Sequence, residues 1–414
     1  MLMRMENQAL TKLQEGIEKT GRFSAIALGF SIPVSVALDN VLLFVILLCY
    51  LAGGRYREKG IAIASNPVVT AALALFGMIA LAAAYGPATR SEAAHYLLKY
   101  VDLLFVPAIA AFFGSARTRE LGLYALAAAI GLSVLLSLSF FAGLLPQALS
   151  KPNVFGYPLA FKHNLTHSIL VVYGAFLFAL YAAESASPRK RLVYLVLAAL
   201  AAANALFMVP SRTAYLVLGA LVLYAGFSWW RWRGLLWAIP AAALAATIAF
   251  SASDWARDRL DLTLQEYSAS DPSVAARQDS SVGMRLEFYR NSLAIVREHP
   301  FAGVGTGGFP GAYAEQVKGT GMSLTQNPHN EYLLLMAQTG VIGLVLFLYL
   351  LWRQWQLAPR LPVLESHLAR GLVVMVAVGC LFNSFLLDHT EGLLYAWLTG
   401  LLFGGLKVDR GSAT

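Results

Sequence analysis

Charged residues are scarce in this chain. Asp, Glu, Lys and Arg make up 13% of its 414 residues, where a soluble domain carries about 25%. That shortage excludes an ordinary water-soluble fold. Cysteine is almost absent. The two present, Cys49 and Cys380, both sit inside apolar runs. They make neither a disulfide framework nor a thiolate metal site, and each reads as a small buried hydrophobe. There is no repeat at a fixed period and no low-complexity tract. Nor is there an inverted pair of interrupted helices of the kind that marks many transporters. The first 22 residues are polar and mixed in charge, so no cleavable signal peptide is expected.

Apolar sequence is what the chain has in abundance. Hydrophobic residues make up 58% of it, and its mean hydropathy is +0.62. Runs of about 15–25 apolar residues recur from end to end, each about the length that crosses a bilayer. They are continuous rather than alternating, which excludes a β-barrel. The expectation is an all-α, polytopic integral membrane protein with about twelve spans. They fall near residues 23–37, 40–53, 67–85, 95–113, 120–144, 164–184, 192–209, 213–230, 235–251, 330–352, 367–387 and 392–406. The chain then divides into a tail (1–22), spans one to nine (23–251), a long extramembrane loop (252–328), spans ten to twelve (329–406) and a second tail (407–414).

Alternate connections are basic: "RYREKG", "SARTRE", "SPRKR", "WRWRG" and "WRQWQLAPR", with Arg4, Lys12, Lys19 and Arg22 in the first tail. The positive-inside rule puts these, and both termini, in the cytoplasm. It also accounts for the pI of about 9.4 without a nucleic-acid partner. The remaining connections face outward, and the loop 252–328 is the only one large enough for a subdomain.

Ionisable groups beside apolar spans cost several kcal/mol unless paired or solvated, so they are functional candidates. Several gather on the outward side. His329, in "NPHNEYLLLMAQTG", stands at the start of span ten, where helix amides oppose protonation. A neutral imidazole there can act as a general base. Its bland reading is a helix cap, and its neighbour Asn330 is a candidate polar contact. Arg212, in "VPSRTAYL", lies in a first helical turn with Ser211 as cap. A cation there opposes its own helix field and calls for an anionic partner, or for lipid phosphate. Leu286, Tyr289, Leu293 and Val296 recur at helical spacing and predict an amphipathic helix in the outer loop. Of its arginines, Arg285 is the better candidate for a site and Arg290 the lesser.

Weaker signals complete the set. "GVGTGGF" lacks the strand and βαβ context of a phosphate loop, and reads as a tight turn permitting close backbone approach. His163 and His167 lie four apart on one helix face and suit hydrogen bonding to a polar head group better than a metal. Asp254, Asp258 and Asp261 alternate with arginines and read as a solvated helix start. In "DHTEG", Asp388 is a candidate partner for an arginine or an imidazole, and Thr390 a candidate cap. No acidic cluster calls for a metal, and no cofactor is expected. Arginines with a lone base suit attack by a hydroxyl on a phosphate-activated carbon, the guanidinium groups holding the leaving pyrophosphate.

Two stretches, "RLEFYRNSLAIVREHPFAGVGTGGF" and "NPHNEYLLLMAQTGVIGLVLF", resemble the core signature of the bacterial O-antigen ligase and polymerase superfamily. "SRTAYLVL" is similar to its upstream arginine motif, and "NSFLLDHTEGLLYAWLTGLLFG" to the end of the ligase branch. The resemblance implies a fold like that of the C-type glycosyltransferases and a multi-pass protein of the bacterial inner membrane. Its active site, and the loop 252–328, would be periplasmic. The implied reaction is inverting, metal-independent transfer of O-antigen polysaccharide from undecaprenyl pyrophosphate to lipid A-core oligosaccharide. By motif, His329 would be the base, and Arg212 and Arg285 the pyrophosphate ligands. Asp39 occupies the place of a first-loop acid seen in many C-type enzymes, but no partner acid gives it a catalytic role. Rival expectations are an O-antigen polymerase, a protein O-oligosaccharyltransferase, and a transporter of anionic lipid-linked sugars. Transporters place such groups near the midplane rather than at one edge.

An alkaline phosphatase fusion placed in the loop near Ser280 is expected to be active on the outer side. Activity only as a cytoplasmic reporter at that position reverses the orientation and everything built on it.

Overall fold

The computed structural model describes residues 2–153, 156–252 and 281–406. Among them every regular element is helical and no strand occurs. The expectations for residues 253–280, with Asp254, Asp258 and Asp261, and for the tail 407–414 lie outside the described residues.

The chain opens with α1 (Leu2–Val34), which carries the expected polar tail as a continuous extension of the first span. That tail is therefore helical. It contains no proline, and its charges pair along the surface, as in Glu18–Arg22 at 2.7 Å. Ser35 caps α2 (Val36–Ala52). After the Gly53–Gly54 turn the chain bends by 114° into α3 (Tyr56–Ser65), none of whose residues is buried. Then follow α4 (Pro67–Ala82), α5 (Arg90–Lys99), α6 (Asp102–Phe112), α7 (Ala116–Phe141), α8 (Asn164–Glu184) and α9 (Pro188–Ala203). A π turn (Asn204–Met208) leads to α10 (Arg212–Ala252). The helix α10 breaks at Arg231, inside the basic "WRWRG" that separates spans eight and nine. The chain continues with α11 (Ser281–Glu298), α12 (Phe309–Gln316), α13 (Glu331–Leu357), α14 (Val363–Gly379) and α15 (His389–Phe403).

All twelve expected segments fall on helices, but their lengths differ. Among the described residues six helical segments are long and apolar enough to cross a membrane, or seven if α2 and α3 form one bent span. Of the others, α4 and α15 are shorter, with 16 and 15 residues.

The core centres on α15. Its sequence is apolar on every side, which is the pattern of a helix surrounded by others. From Thr390 to Phe403 every residue is buried. Gly400 lets it lie directly on Ile109 of α6. The Trp397 indole donates to the Ala25 carbonyl of α1 at 2.8 Å and meets Phe113 edge-on. At the far end Asn66 caps α4 and donates to the Phe403 carbonyl at 2.9 Å. Near it the buried ion pair Arg119–Glu365, at 2.9 Å, joins α7 to α14.

The glycine-rich loop serves close backbone approach. The helix α13 is broken at Gly340, whose φ is +66°. The break frees carbonyls, and a backbone group left unpaired in an apolar surround is costly. The loop supplies the donors: Val304 N–H to Ala337 O at 2.7 Å and Gly305 N–H to Gln338 O at 2.9 Å. Gly307 N–H donates to the Gln338 side chain at 2.8 Å, and Val341 N–H to Pro300 O at 2.9 Å. A Cβ on Gly303, where φ is +67°, would stand 2.5 Å from the Gln338 carbonyl carbon. Gly303→Ala is expected to cost at least about 2 kcal/mol, from strained φ and overpacking together. Gly311→Ala, in helix and facing open space, is expected to be silent. Thermal unfolding of the two purified variants checks this, and equal melting temperatures refute it.

Candidate functional site

The backbone seam of the loop draws α11 and α12 onto one end of the bundle. There α11 buries a different face from the one its leucines predict. Leu286 and Leu293 are 61% and 41% exposed, while Phe288, Asn291, Ser292 and Ile295 are buried. The aromatic partners decide the rotation. Phe288 meets Tyr313 of α12 edge-on at 5.9 Å and stacks on the His329 ring at 6.2 Å, with 29° between the planes.

His329 is not the helix cap. That position belongs to Asn330, whose side-chain oxygen accepts from Leu333 N–H at 3.0 Å, while its amide donates to Leu381 O at 3.0 Å. His329, one residue earlier, has a φ of +55°, a left-handed backbone that non-glycine residues seldom adopt. Asn327 holds it there. One oxygen of its side chain accepts both the His329 N–H, at 2.8 Å, and the Ser384 hydroxyl, at 2.7 Å. Pro328, between them, is buried. The Tyr289 hydroxyl lies 2.8 Å from Leu381 O. Below, the buried Glu331 accepts from the Tyr100 hydroxyl and from Leu386 N–H, each at 2.9 Å. A strained, half-buried imidazole is thus fixed from three sides: α11, the 327–330 turn and the 380–388 turn.

Burial pushes the His329 imidazole below its ordinary value, and the Arg285 guanidinium pushes it the same way. The ring is therefore neutral at pH 7 and free to accept a proton.

The other candidates fall into two groups. Arg285 is half-buried on the His329 side of α11, while Arg290 is exposed. Arg212 opens α10 and is half-buried. Its neighbour Thr213 accepts from the Asn383 amide at 3.0 Å, which ties Arg212 to the same 380–388 turn that holds His329.

His163 and His167 do not share a face. His163 is the exposed N-cap of α8, with extended backbone; its carbonyl accepts the His167 N–H at 2.8 Å, but the ring stays at the surface. His167 is buried, 2.9 Å from the Asn204 side-chain oxygen, and Asn204 donates to Ser137 at 2.7 Å. That network locks the π turn to α7 and α8. Asp388 takes the N-cap position of α15 without a side-chain bond. Burial raises its carboxyl, and Lys99 opposes the rise. Thr390, expected as the cap, lies inside the helix and accepts from Lys162. Among the described residues no three His, Cys, Asp or Glu side chains are grouped to hold a metal ion. Residues 327, 288 and 384, which shape the site, carry no sequence signal of their own. Asn, Phe and Ser are common, and only the fold brings these three together.

Residues 195–348 match the family model described as O-antigen ligase, a stretch that contains Arg212, Arg285, His329 and Asn330. No curated protein matches the chain. Among solved structures, a chain described under "Structural coordination of polymerization and crosslinking by a peptidoglycan synthase complex" is similar at 18% identity. The match covers 83% of this chain and 98% of that one, with a TM-score of 0.48.

Arg285 lowers the His329 titration, so Arg285→Gln is expected to raise it toward the ordinary histidine value of about 6.5. A histidine-selective ¹⁵N spectrum followed against pH reads this directly. An unmoved or lowered His329 titration refutes the electrostatic coupling.

Proposed function

We propose that this chain, whose residues 195–348 match the O-antigen ligase family model, transfers a glycan from a lipid pyrophosphate to a hydroxyl. The donor is O-antigen polysaccharide on undecaprenyl pyrophosphate, and the acceptor is the lipid A-core oligosaccharide at the periplasmic face of the inner membrane. His329 carries this reading. It is a neutral imidazole held in a strained backbone beside an arginine, the sort of outlier that persists where surrounding structure over-determines it.

The reaction is a direct displacement. The acceptor oxygen attacks the anomeric carbon of the donor sugar from the face opposite the pyrophosphate. The bond from that carbon to the pyrophosphate oxygen breaks as the new glycosidic bond forms, so the configuration inverts. The hydroxyl proton passes to a His329 ring nitrogen. Arg212 and Arg285 hold the pyrophosphate and offset the charge that grows on it. Guanidinium keeps its charge at any working pH, so no step requires a metal.

The test is reconstitution of purified protein with undecaprenyl-pyrophosphate-linked glycan and rough lipopolysaccharide. A glycan ladder on the lipopolysaccharide is expected. A longer glycan on the lipid donor, with none on lipopolysaccharide, selects the polymerase instead. His329→Asn suits the left-handed backbone at least as well as His, so the variant is expected to fold. Its turnover should fall roughly 10²–10⁴-fold, the usual worth of a positioned base, with donor binding little changed. Wild-type turnover from a well-inserted variant removes His329 from the mechanism.

A further inference from the structure

A second polar cluster lies at the same end of the bundle, beside the site. Asp39 of α2 is fully buried, and Asp102 of α6 and Glu391 of α15 are 3% and 5% exposed. Their elements are distant in sequence, and two of them, α2 and α15, meet at one ammonium group. Lys162, on the segment leading into α8, is 5% exposed. Its Nζ donates to the Thr390 hydroxyl at 3.2 Å and stands 3.8 Å from an Asp39 oxygen. The His389 ring lies 3.9 Å from the same oxygen. Asp39 and Glu391 therefore both act on one buried lysine, with Asp102 interacting with Asp39. Breaking a buried ion pair from one side leaves the other group without its partner, which is costly away from water.

Thr390 and His389 open α15, and the turn before them is closed on itself. Leu387 and Asp388 N–H donate to Ser384 O, each at 3.1 Å, and Gly392 N–H to Asp388 O at 2.8 Å. Ser384 in turn donates to the Asn327 oxygen that fixes the His329 backbone. A continuous series of contacts thus runs from Lys162 through Thr390 and the 384–388 turn to Asn327 and His329.

We propose that Lys162, paired with Asp39, is a positioning residue for His329: it anchors the start of α15 so that the 384–388 turn holds the imidazole in place. Burial pushes the Lys162 ammonium below its ordinary value, while Asp39 and Glu391 oppose that fall. The kinetic half of the inference rests on the transfer reaction above, whereas the geometric half does not.

The experiment uses the full chain in lipid nanodiscs. The rate at which diethylpyrocarbonate modifies His329, mapped by peptide mass spectrometry, reads the placement of the imidazole whatever the substrate is. Transfer kinetics on undecaprenyl-pyrophosphate-linked glycan are measured alongside. Lys162→Met, similar in length but uncharged, is expected to change the His329 modification rate severalfold. It should lower kcat by roughly 10–100-fold, the scale of a small misplacement of reacting groups, with donor KM unchanged. Thr390→Val removes only the bond to Lys162 and keeps the shape, so it serves if Lys162→Met fails to fold. It is expected to move both readouts the same way, by less. Wild-type His329 reactivity in the folded variants overturns the proposal, and so does a loss of kcat without a change in that reactivity. Absence of transfer by the wild-type chain refutes the reaction but leaves the reactivity comparison intact.

Discussion

The structure around the site depends on the pairing of backbone groups at the break in α13. A helix interrupted at Gly340 inside an apolar bundle exposes carbonyls that water does not reach. The 300–307 loop answers them with its own amides, as a short seam of N–H to carbonyl bonds. The seam fastens α11 and α12 to the rest of the bundle. With α11 fastened, Phe288 lies on His329 and Arg285 stands beside it. Without the seam, the imidazole would face open solvent and lose the burial that lowers its proton affinity.

Most helix positions were legible from hydropathy alone, because a bilayer-length apolar run leaves few alternatives. So was the use of the glycine loop, since its lack of a preceding strand left close backbone approach as its remaining purpose. Helical spacing indicated that Arg285 and Arg290 do not share one face, and of the two only Arg285 is half-buried and acts on His329. The buried face of α11 was legible only in part: Val296 is buried as its spacing predicts, but Leu286 and Leu293 are not. Leu286 and Leu293 mark the face that apolarity favours, but a stack of Phe288 between His329 and Tyr313 outweighs them. Apolar periodicity carries no information about such a tertiary partner.

The polar contacts were least legible. Asp39 looked solitary because its partner, Lys162, lies beyond five intervening helices and in a segment without regular structure. His163 and His167 looked paired because four-residue spacing implies a shared face, but that holds only where both residues are helical. The capping role passed from His329 to Asn330, a shift of one residue that spacing arguments cannot resolve. These outcomes share a cause. Charge and hydrogen-bond partners are chosen in three dimensions, whereas burial of apolar runs is largely chosen along the chain.

The wholly enclosed α15 has a consequence for assembly. This helix follows the other described helices in the chain, yet it occupies the middle of the bundle, against α6 and α1. The earlier helices can enter the membrane one by one as synthesis proceeds, but they have no centre to close around until residues 389–403 emerge. During that interval the sites for Trp397 and its neighbours stand open to lipid. Completion of the fold, and with it the ordering of the turn that carries Ser384, therefore waits on residues 389–403.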